Sequence, residues 1–173
     1  MMEAVNTEVR LCTEKNWEST LRTVLQEKGI SQLLYGSKTT LAEKLWNLCQ
    51  RAPDTIRELV DYQKPVEESK DLLLRVDASI TTTRGGIAET GSSILWTTPD
   101  QPRLMSLIPP IHLAILYGNI YNTFWEAVNT DKWNSSMPTN ALLISEPFKT
   151  ANIEKTLVYG VHGSKELVVL LIK

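Results

Sequence analysis

Apolar residues near the start of the chain recur with the spacing of one helix face. Trp17, Leu21, Val24 and Leu25 fall at i, i+4, i+7 and i+8, and Gly29 follows them. This period is typical of a helix that buries one side, and glycine commonly ends a helix because it adopts positive φ without strain. The pattern therefore predicts an amphipathic helix that ends at Gly29.

After this helix, short apolar runs alternate with amphipathic segments. Thr40 to Glu43 form a capping-box pattern at the start of a second helix, which Pro53 ends. Residues 55–62 fit a helix by their period, but their place in the alternation favours a strand, and we predict a strand. The predicted strands are 32–35, 55–62, 78–82, 93–96, 111–116, 141–144 and 167–172. The other predicted helices are 65–75, a short one around 124–128, and 151–159, with Thr150 as its cap.

Several predicted strands are continuous apolar runs rather than alternating ones. Such strands are buried on both faces, which is typical of a parallel sheet with helices on either side. We therefore predict an α/β fold, a three-layer α/β/α sandwich with a mainly parallel sheet. The 173 residues suit a single domain, 1–173, in which residues 1–14 form a frayed or extended segment and residues 129–140 a polar loop.

Charge and composition argue against several classes of function. A net charge of −2 gives no basic field for nucleic acid, and a hydrophobic content of 42% supports a packed core. Residues 1–10 carry acids and no apolar centre, unlike a signal peptide, and the longest apolar run, 167–172, is too short to cross a bilayer. We expect a cytoplasmic protein with no membrane insertion and no nucleic-acid partner.

The two cysteines, Cys12 and Cys49, are far apart in the chain and lie in segments whose pattern looks helical. Two thiols cannot build a disulfide framework, and they cannot supply the ligand set of a zinc or iron–sulfur site. We therefore expect no cofactor and no metal site in this chain.

A polar, glycine-bearing stretch, Thr83 to Ser92, separates the predicted strands 78–82 and 93–96. Glycine lets a ligand approach the backbone, while hydroxyl and amide groups offer hydrogen-bond donors. We predict a loop that joins neighbouring strands of the sheet. Glu89 in this loop can act as a base or a nucleophile, or it can simply cap a turn. The candidate ligand-binding residues of the loop are Arg84, Gly86, Thr90, Gly91 and Ser92.

Both histidines, His112 and His162, stand at predicted strand or loop boundaries beside proline or glycine. Either can serve as a general base or as a phosphate contact near neutral pH, and we take both as candidate catalytic residues. The alternative is an imidazole that only hydrogen-bonds to its surroundings, since histidines with apolar neighbours are commonly structural.

Three cations, Arg84, Arg103 and Lys149, lie near predicted loop ends. A carboxylate or phosphate is their natural partner, and Lys149 with Thr150 precedes a predicted helix, where free backbone N–H groups bind anions. The simpler interpretation of each is a solvated surface charge. These residues predict an anionic small molecule as a ligand.

Three segments occur in order along the second half of the chain: Gly86 to Ser92, Leu107 to His112, and Thr150 to Glu154 with Gly160 to Gly163. Together they resemble the LUD-domain family, of the LutC/YkgG type of lactate-utilisation protein. The resemblance implies a fold similar to the NagB/RpiA/CoA-transferase superfamily. It also implies a role in oxidising L-lactate to pyruvate, beside two partner proteins that carry iron–sulfur clusters.

The segment 145–154 departs from the family's usual Ser-Gly-Pro-Ser-Arg-Thr-Ala-Asp-Ile-Glu. Glu146 adds negative charge where glycine is usual, Lys149 lacks the planar fork of arginine, and Asn152 replaces a carboxylate. Ser164 also stands where proline is usual. These departures imply an anion site that is weakened or reshaped.

Two main functions follow from these observations. The first is an accessory component of an L-lactate oxidation system that carries no cluster of its own and works with iron–sulfur subunits. The second is an enzyme or binding protein for a phosphorylated or CoA-linked small acid, with Glu89 as base or nucleophile and Lys149 or Arg103 holding the anion; it rests on analogy of fold. A third interpretation is a structural protein with a degenerate pocket.

Overall fold

A computed structural model describes residues 2, 6–63, 66–147, 149–151, 157–159 and 163–173. Within these ranges the strands are β1 (Thr7–Cys12), β2 (Gln32–Tyr35), β3 (Glu58–Asp61), β4 (Ala78–Thr82), β5 (Gly85–Ile87), β6 (Ser92–Trp96), β7 (Ile111–Tyr117), β8 (Ile120–Tyr121), β9 (Ala141–Ile144), β10 (Lys149–Ala151), β11 (Leu157–Tyr159) and β12 (Glu166–Ile172). The helices are α1 (Trp17–Glu27), α2 (Thr40–Arg51), α3 (Val66–Arg75), α4 (Leu104–Leu107), α5 (Phe124–Thr130) and α6 (Trp133–Ser136).

Six strands form the main sheet in the order β1-β12-β7-β4-β2-β3, and every neighbouring pair is parallel. This confirms the predicted α/β class and the mainly parallel sheet. The prediction succeeded because the inner strands are buried on both faces and therefore read as continuous apolar runs. None of the helices in the described ranges is long and apolar enough to cross a membrane.

The two faces of the main sheet are covered differently. Alternate strand residues such as Leu33 and Leu113 pack under α1 and α2 on one face. On the other face, Leu34 packs against α3 and α4. Further along this second face, strands β7 and β12 are covered by a second sheet of order β8-β5-β6-β9, whose Leu95 and Ile144 contact them. Helices α5 and α6 then cover the outer side of that second sheet.

The stretch Thr83 to Ser92 differs from the predicted single loop. It contains strand β5, and β6 pairs with β5 and β9 in the second sheet instead of lying beside β4. Glycines make this possible, because a Cβ atom added at Gly85 would lie 2.5 Å from the carbonyl oxygen of Asn119. The loop therefore carries the chain from the main sheet into the second one.

Two further predictions of helical structure were wrong. Cys12, predicted in a helical segment, lies in strand β1, which pairs with β12 from Thr7 to Cys12 within the segment predicted as frayed or extended. The described part of the predicted helix 151–159 forms strands β10 and β11, in which Thr150 lies opposite Val158 and caps no helix. β-Branched residues such as these favour strands.

Helix boundaries follow the predicted signals more closely. Gly29 follows the C-cap residue of α1 and adopts a φ of +63°, as expected for a glycine just beyond a helix. Helix α2 is present, but its N-cap is Thr39 rather than Thr40, and Thr39 makes no side-chain capping bond. The predicted polar loop 129–140 contains the short helix α6.

Candidate functional site

His112 lies near the start of β7 and is almost fully buried, with 1% of its surface exposed. Its Nε2 atom is 2.8 Å from the hydroxyl oxygen of Thr81, while Nδ1 has no hydrogen-bond partner among the described residues. Burial lowers the pKa of His112 from 6.5 to about 3, because a charged imidazolium is poorly solvated there. The imidazole is therefore neutral near pH 7 and is shielded from solvent.

The segments around His112 and Ser164 meet at the amino edge of the main sheet, where the parallel strands begin. The backbone N–H groups of Lys165 and Glu166 donate to the carbonyl oxygen of Pro110 at 2.8 and 3.1 Å. The buried Ser164 hydroxyl donates to the carbonyl oxygen of Ser106 at 2.8 Å. Residues that follow the third of the family segments, Ser164 to Glu166, are thus joined to the second segment and to Ser106 just before it. His162 lies outside the described residues.

Glu89 is exposed in the turn between β5 and β6, and its backbone N–H donates to the carbonyl oxygen of Asn122 at 3.0 Å. A Cβ atom added at Gly86 in β5 would lie 3.1 Å from Leu116, near the far end of β7 from His112. Leu116 lies four residue steps along the strand from His112, which is about 13 Å. The structure therefore does not bring Glu89 and His112 together.

Gly86, Gly91 and Ser92 line a cavity of about 350 Å³ between the two sheets. The other residues lining it are Met2, Val9, Leu11, Ile87, Ala88, Leu116, Ile120, Val169 and Leu171. The Ser92 hydroxyl is already paired with that of Thr90 at 2.8 Å. This cavity is lined without charge and offers little to an anionic ligand.

The Arg84 side chain is held by contacts within the protein. Its Nε atom donates to the Asp131 carboxylate at 2.7 Å, and its guanidinium lies 4.1 Å from the ring centre of Trp96. Burial acts to raise the pKa of Asp131, but hydrogen bonds from Tyr121 and Arg84 outweigh it and hold that pKa below its usual value. Arg84 thus ties the second sheet to the segment between α5 and α6.

The remaining predicted anion contacts are dispersed. Arg103 is exposed beside α4, and its Nη1 atom donates to the side-chain oxygen of Asn140 at 3.4 Å. Lys149 and Thr150 lie in the β10–β11 hairpin, where they pair with Tyr159 and Val158. The backbone N–H groups of this hairpin are not those of a helix start, so the predicted helix-terminal anion site is absent from its described strands.

A more suitable site lies at the carboxyl edge of the main sheet, where the parallel strands end. Strands β2 and β4 are neighbours, but the chain leaves β2 through α2 toward β3 and leaves β4 in the opposite direction toward β7. In open α/β sheets, ligands bind in the crevice at such a switch point. A cavity of about 420 Å³ opens at this edge beside the switch point, over the ends of β4, β7 and β12, and we call it the switch-point cavity. Its lining residues are Trp17, Thr40, Leu41, Lys44, Thr82, Thr83, Ile115, Tyr117 and Ile172.

The polar groups of the switch-point cavity come from two elements. Helix α2 contributes Thr40 and Lys44, and the Lys44 ammonium lies 5.5 Å from the ring centre of Trp17. The end of β4 contributes Thr82 and Thr83. This combination can receive an anionic group, since the first turn of a helix presents unpaired N–H donors and a partial positive charge.

Sequence reasoning missed this cavity, although one signal was present. A buried strand followed closely by a helix start at Thr40 is the arrangement that places helix N–H groups at a strand end. The position of that helix relative to β4 and β7 depends on strand order, which the sequence pattern does not specify.

The chain is similar to a known protein family and to several known proteins. The model of the LUD domain matches residues 1–172. An uncharacterized protein from Neisseria meningitidis serogroup B is 35% identical over 175 residues, which cover 99% of this chain and 73% of that protein. Lactate utilization protein C from Exiguobacterium is 27% identical over 166 residues, covering 92% of this chain and 69% of that protein.

A solved structure has a similar fold. The crystal structure of a DUF162 family protein from Deinococcus radiodurans superposes with a TM-score of 0.65 and 20% identity, and the match covers 96% of this chain and 88% of that one. At this identity the similarity supports the fold alone.

Proposed function

Because the chain belongs to the LUD domain family, we propose that it is a component of a lactate-utilisation system. The observation that carries this proposal is the family match over residues 1–172, together with relatives named lactate utilization protein C, whose similarity extends over more than nine-tenths of this chain. We propose further that it is an accessory component of L-lactate oxidation to pyruvate, and that electron transfer is carried by iron–sulfur partner proteins.

The cysteines support the accessory role. The sequence contains only Cys12 and Cys49, whereas an iron–sulfur cluster is usually held by four thiolates. Cys12 is buried at the end of β1, and Cys49 is half-buried on α2. Burial raises the pKa of both thiols, which disfavours the thiolate that binds metal. These features support the proposal that the clusters belong to the partners.

Deletion of the gene in its own cell tests this function. We expect slower growth on L-lactate as sole carbon source, with growth on pyruvate unchanged because pyruvate enters after the oxidation step. Affinity-tagged full-length chain, purified from lactate-grown cells, should bring down a protein that contains iron and acid-labile sulfide. Normal growth on lactate, together with no iron-containing partner, would contradict the proposal.

A further inference from the structure

We propose that the switch-point cavity binds an amphipathic organic anion: an acid with one carboxylate or phosphate head and an uncharged ring or short acyl body. This goes beyond the proposed function, because it concerns a ligand of this chain itself and holds whether or not the chain works in lactate oxidation.

The anionic head is assigned to the α2 side of the cavity. The N-cap residue Thr39 donates its hydroxyl back to the carbonyl oxygen of Gly36 at 2.8 Å, so no side chain caps the first turn. Thr40 and Leu41 of that turn both line the cavity. Lys44, one turn further along, has no carboxylate partner among the described residues; its contact is the Trp17 ring. A carboxylate or phosphate placed here would meet both the helix start and a cation.

The body of the ligand is assigned to the apolar wall of the cavity. This wall is formed by Trp17, which lies beside Lys44, and by Ile115 and Ile172, and each of the three side chains is largely buried. The volume of about 420 Å³ falls within the range of pockets that enclose ligands larger than a three-carbon acid. Lactate alone would leave most of this apolar wall in contact with water, whereas a ring or acyl chain would cover it.

The β4 side supplies a fixed wall and one unused polar group. Thr82 is held in place because its N–H and its hydroxyl both donate to Gln101 Oε1, at 3.2 and 2.9 Å. The hydroxyl oxygen of the neighbouring Thr83 is buried and has no hydrogen-bond partner among the described residues. Because this oxygen has almost no accessible surface, the Thr83 side chain would have to rotate before its hydroxyl could pair with a polar substituent of the ligand.

Charge at the rim favours a single anionic head. The hydroxyl of Tyr117, which lines the cavity, donates to the carboxylate of Glu14. A second negative group beside Tyr117 would be repelled by Glu14, so an uncharged body fits better there than a second phosphate.

Calorimetric titration of the full-length chain tests this assignment with three probes: phenyllactate, L-lactate and the neutral phenylpropanediol. We expect phenyllactate to bind about tenfold or more tightly than L-lactate, and the neutral compound to bind at least as weakly as L-lactate. In Lys44→Met, phenyllactate affinity should fall about tenfold, because the cation is lost. The control variant Lys165→Met removes the same charge at the amino edge and should bind normally.

Circular dichroism and thermal unfolding of both variants confirm that any loss of binding is not a loss of fold. No binding of phenyllactate to the unmodified chain would overturn the inference, as would equal binding by Lys44→Met or equal affinity for L-lactate. These outcomes are separate from growth on lactate and from partner capture, so either proposal can fail alone.

Discussion

The two edges of the main sheet differ in how fully their polar groups are used. At the amino edge, the carbonyl of Pro110 accepts from Lys165 and Glu166, the Ser164 hydroxyl donates to Ser106, and His112 is buried beside Thr81. At the carboxyl edge, no side chain among the described residues caps the first turn of α2 or pairs with the Thr83 hydroxyl, and a cavity opens there. The recognisable segment around Pro110 and His112 therefore serves the fold, while the groups available to a ligand lie at the other end of the same strands.

The largest expected effect is a pH-dependent loss of stability caused by His112 at the amino edge. Above about pH 3 the folded protein keeps His112 neutral, whereas the unfolded chain binds a proton below about pH 6.5. The unfolded state therefore holds more protons between these values, and the free energy of unfolding falls as the pH drops, by up to about 1.4 kcal/mol per pH unit. The dependence should be measured by urea unfolding between pH 6.5 and 5.

His112→Asn is the matched variant for that measurement. It lacks the titrating group and should show a flatter dependence over the same range, even if it is less stable throughout. Carboxylates whose pKa is lowered, such as the half-buried Asp77, lose their contribution to stability only at lower pH, so they do not affect this range. Identical slopes for the two proteins would contradict the buried, neutral state of His112.

A matched pair of hydroxyl deletions gives a smaller effect and sharpens the contrast between the edges. Ser164→Ala removes a buried hydrogen bond and leaves the carbonyl of Ser106 short of a donor, which should cost about 1–2 kcal/mol of unfolding free energy. Thr83→Val removes a hydroxyl that has no partner in the structure, so stability should stay within about 0.5 kcal/mol. Chemical unfolding measures the stability of both variants. Equal losses of unfolding free energy would contradict the difference between the two edges.

The smallest expected effect concerns Glu89. Its side chain is exposed, and the hydrogen bond to Asn122 uses the backbone, which Glu89→Ala retains. Stability should therefore change by less than about 0.5 kcal/mol, and growth on lactate of a strain carrying the variant should be unchanged. Loss of growth with normal protein levels would restore Glu89 as a base or nucleophile.

Much of the main sheet could be predicted because its inner strands carry their own signal. The structural bounds of β2, β4 and β9 equal the predicted ones, since each is a short, strongly β-forming run between polar or turn residues. Strand β1 was missed because it lies at an edge. Its outward residues Glu8 and Arg10 form an ion pair at 2.6 Å, so the segment looks like a polar terminus.

The candidate site could not be predicted in the same way. Glu89 was singled out because glycines and hydroxyl residues surround it, but those glycines serve the close approach of β5 to the backbone at Asn119. Lys44 carries no local motif at all. Its importance comes from the neighbouring positions of α2, β4 and β7, which are fixed by the order of strands and not by residue spacing.

The most direct test of the contrast between the two edges is a map of backbone amide chemical shifts in the full-length chain as phenyllactate is added. We expect the amides that shift most to belong to residues 38–44, 82–83 and 115–117, around the switch-point cavity, while those of 106–108, 111–112 and 163–166 stay unchanged. Shifts concentrated at the amino edge, or around Glu89, with none near Lys44 would contradict it.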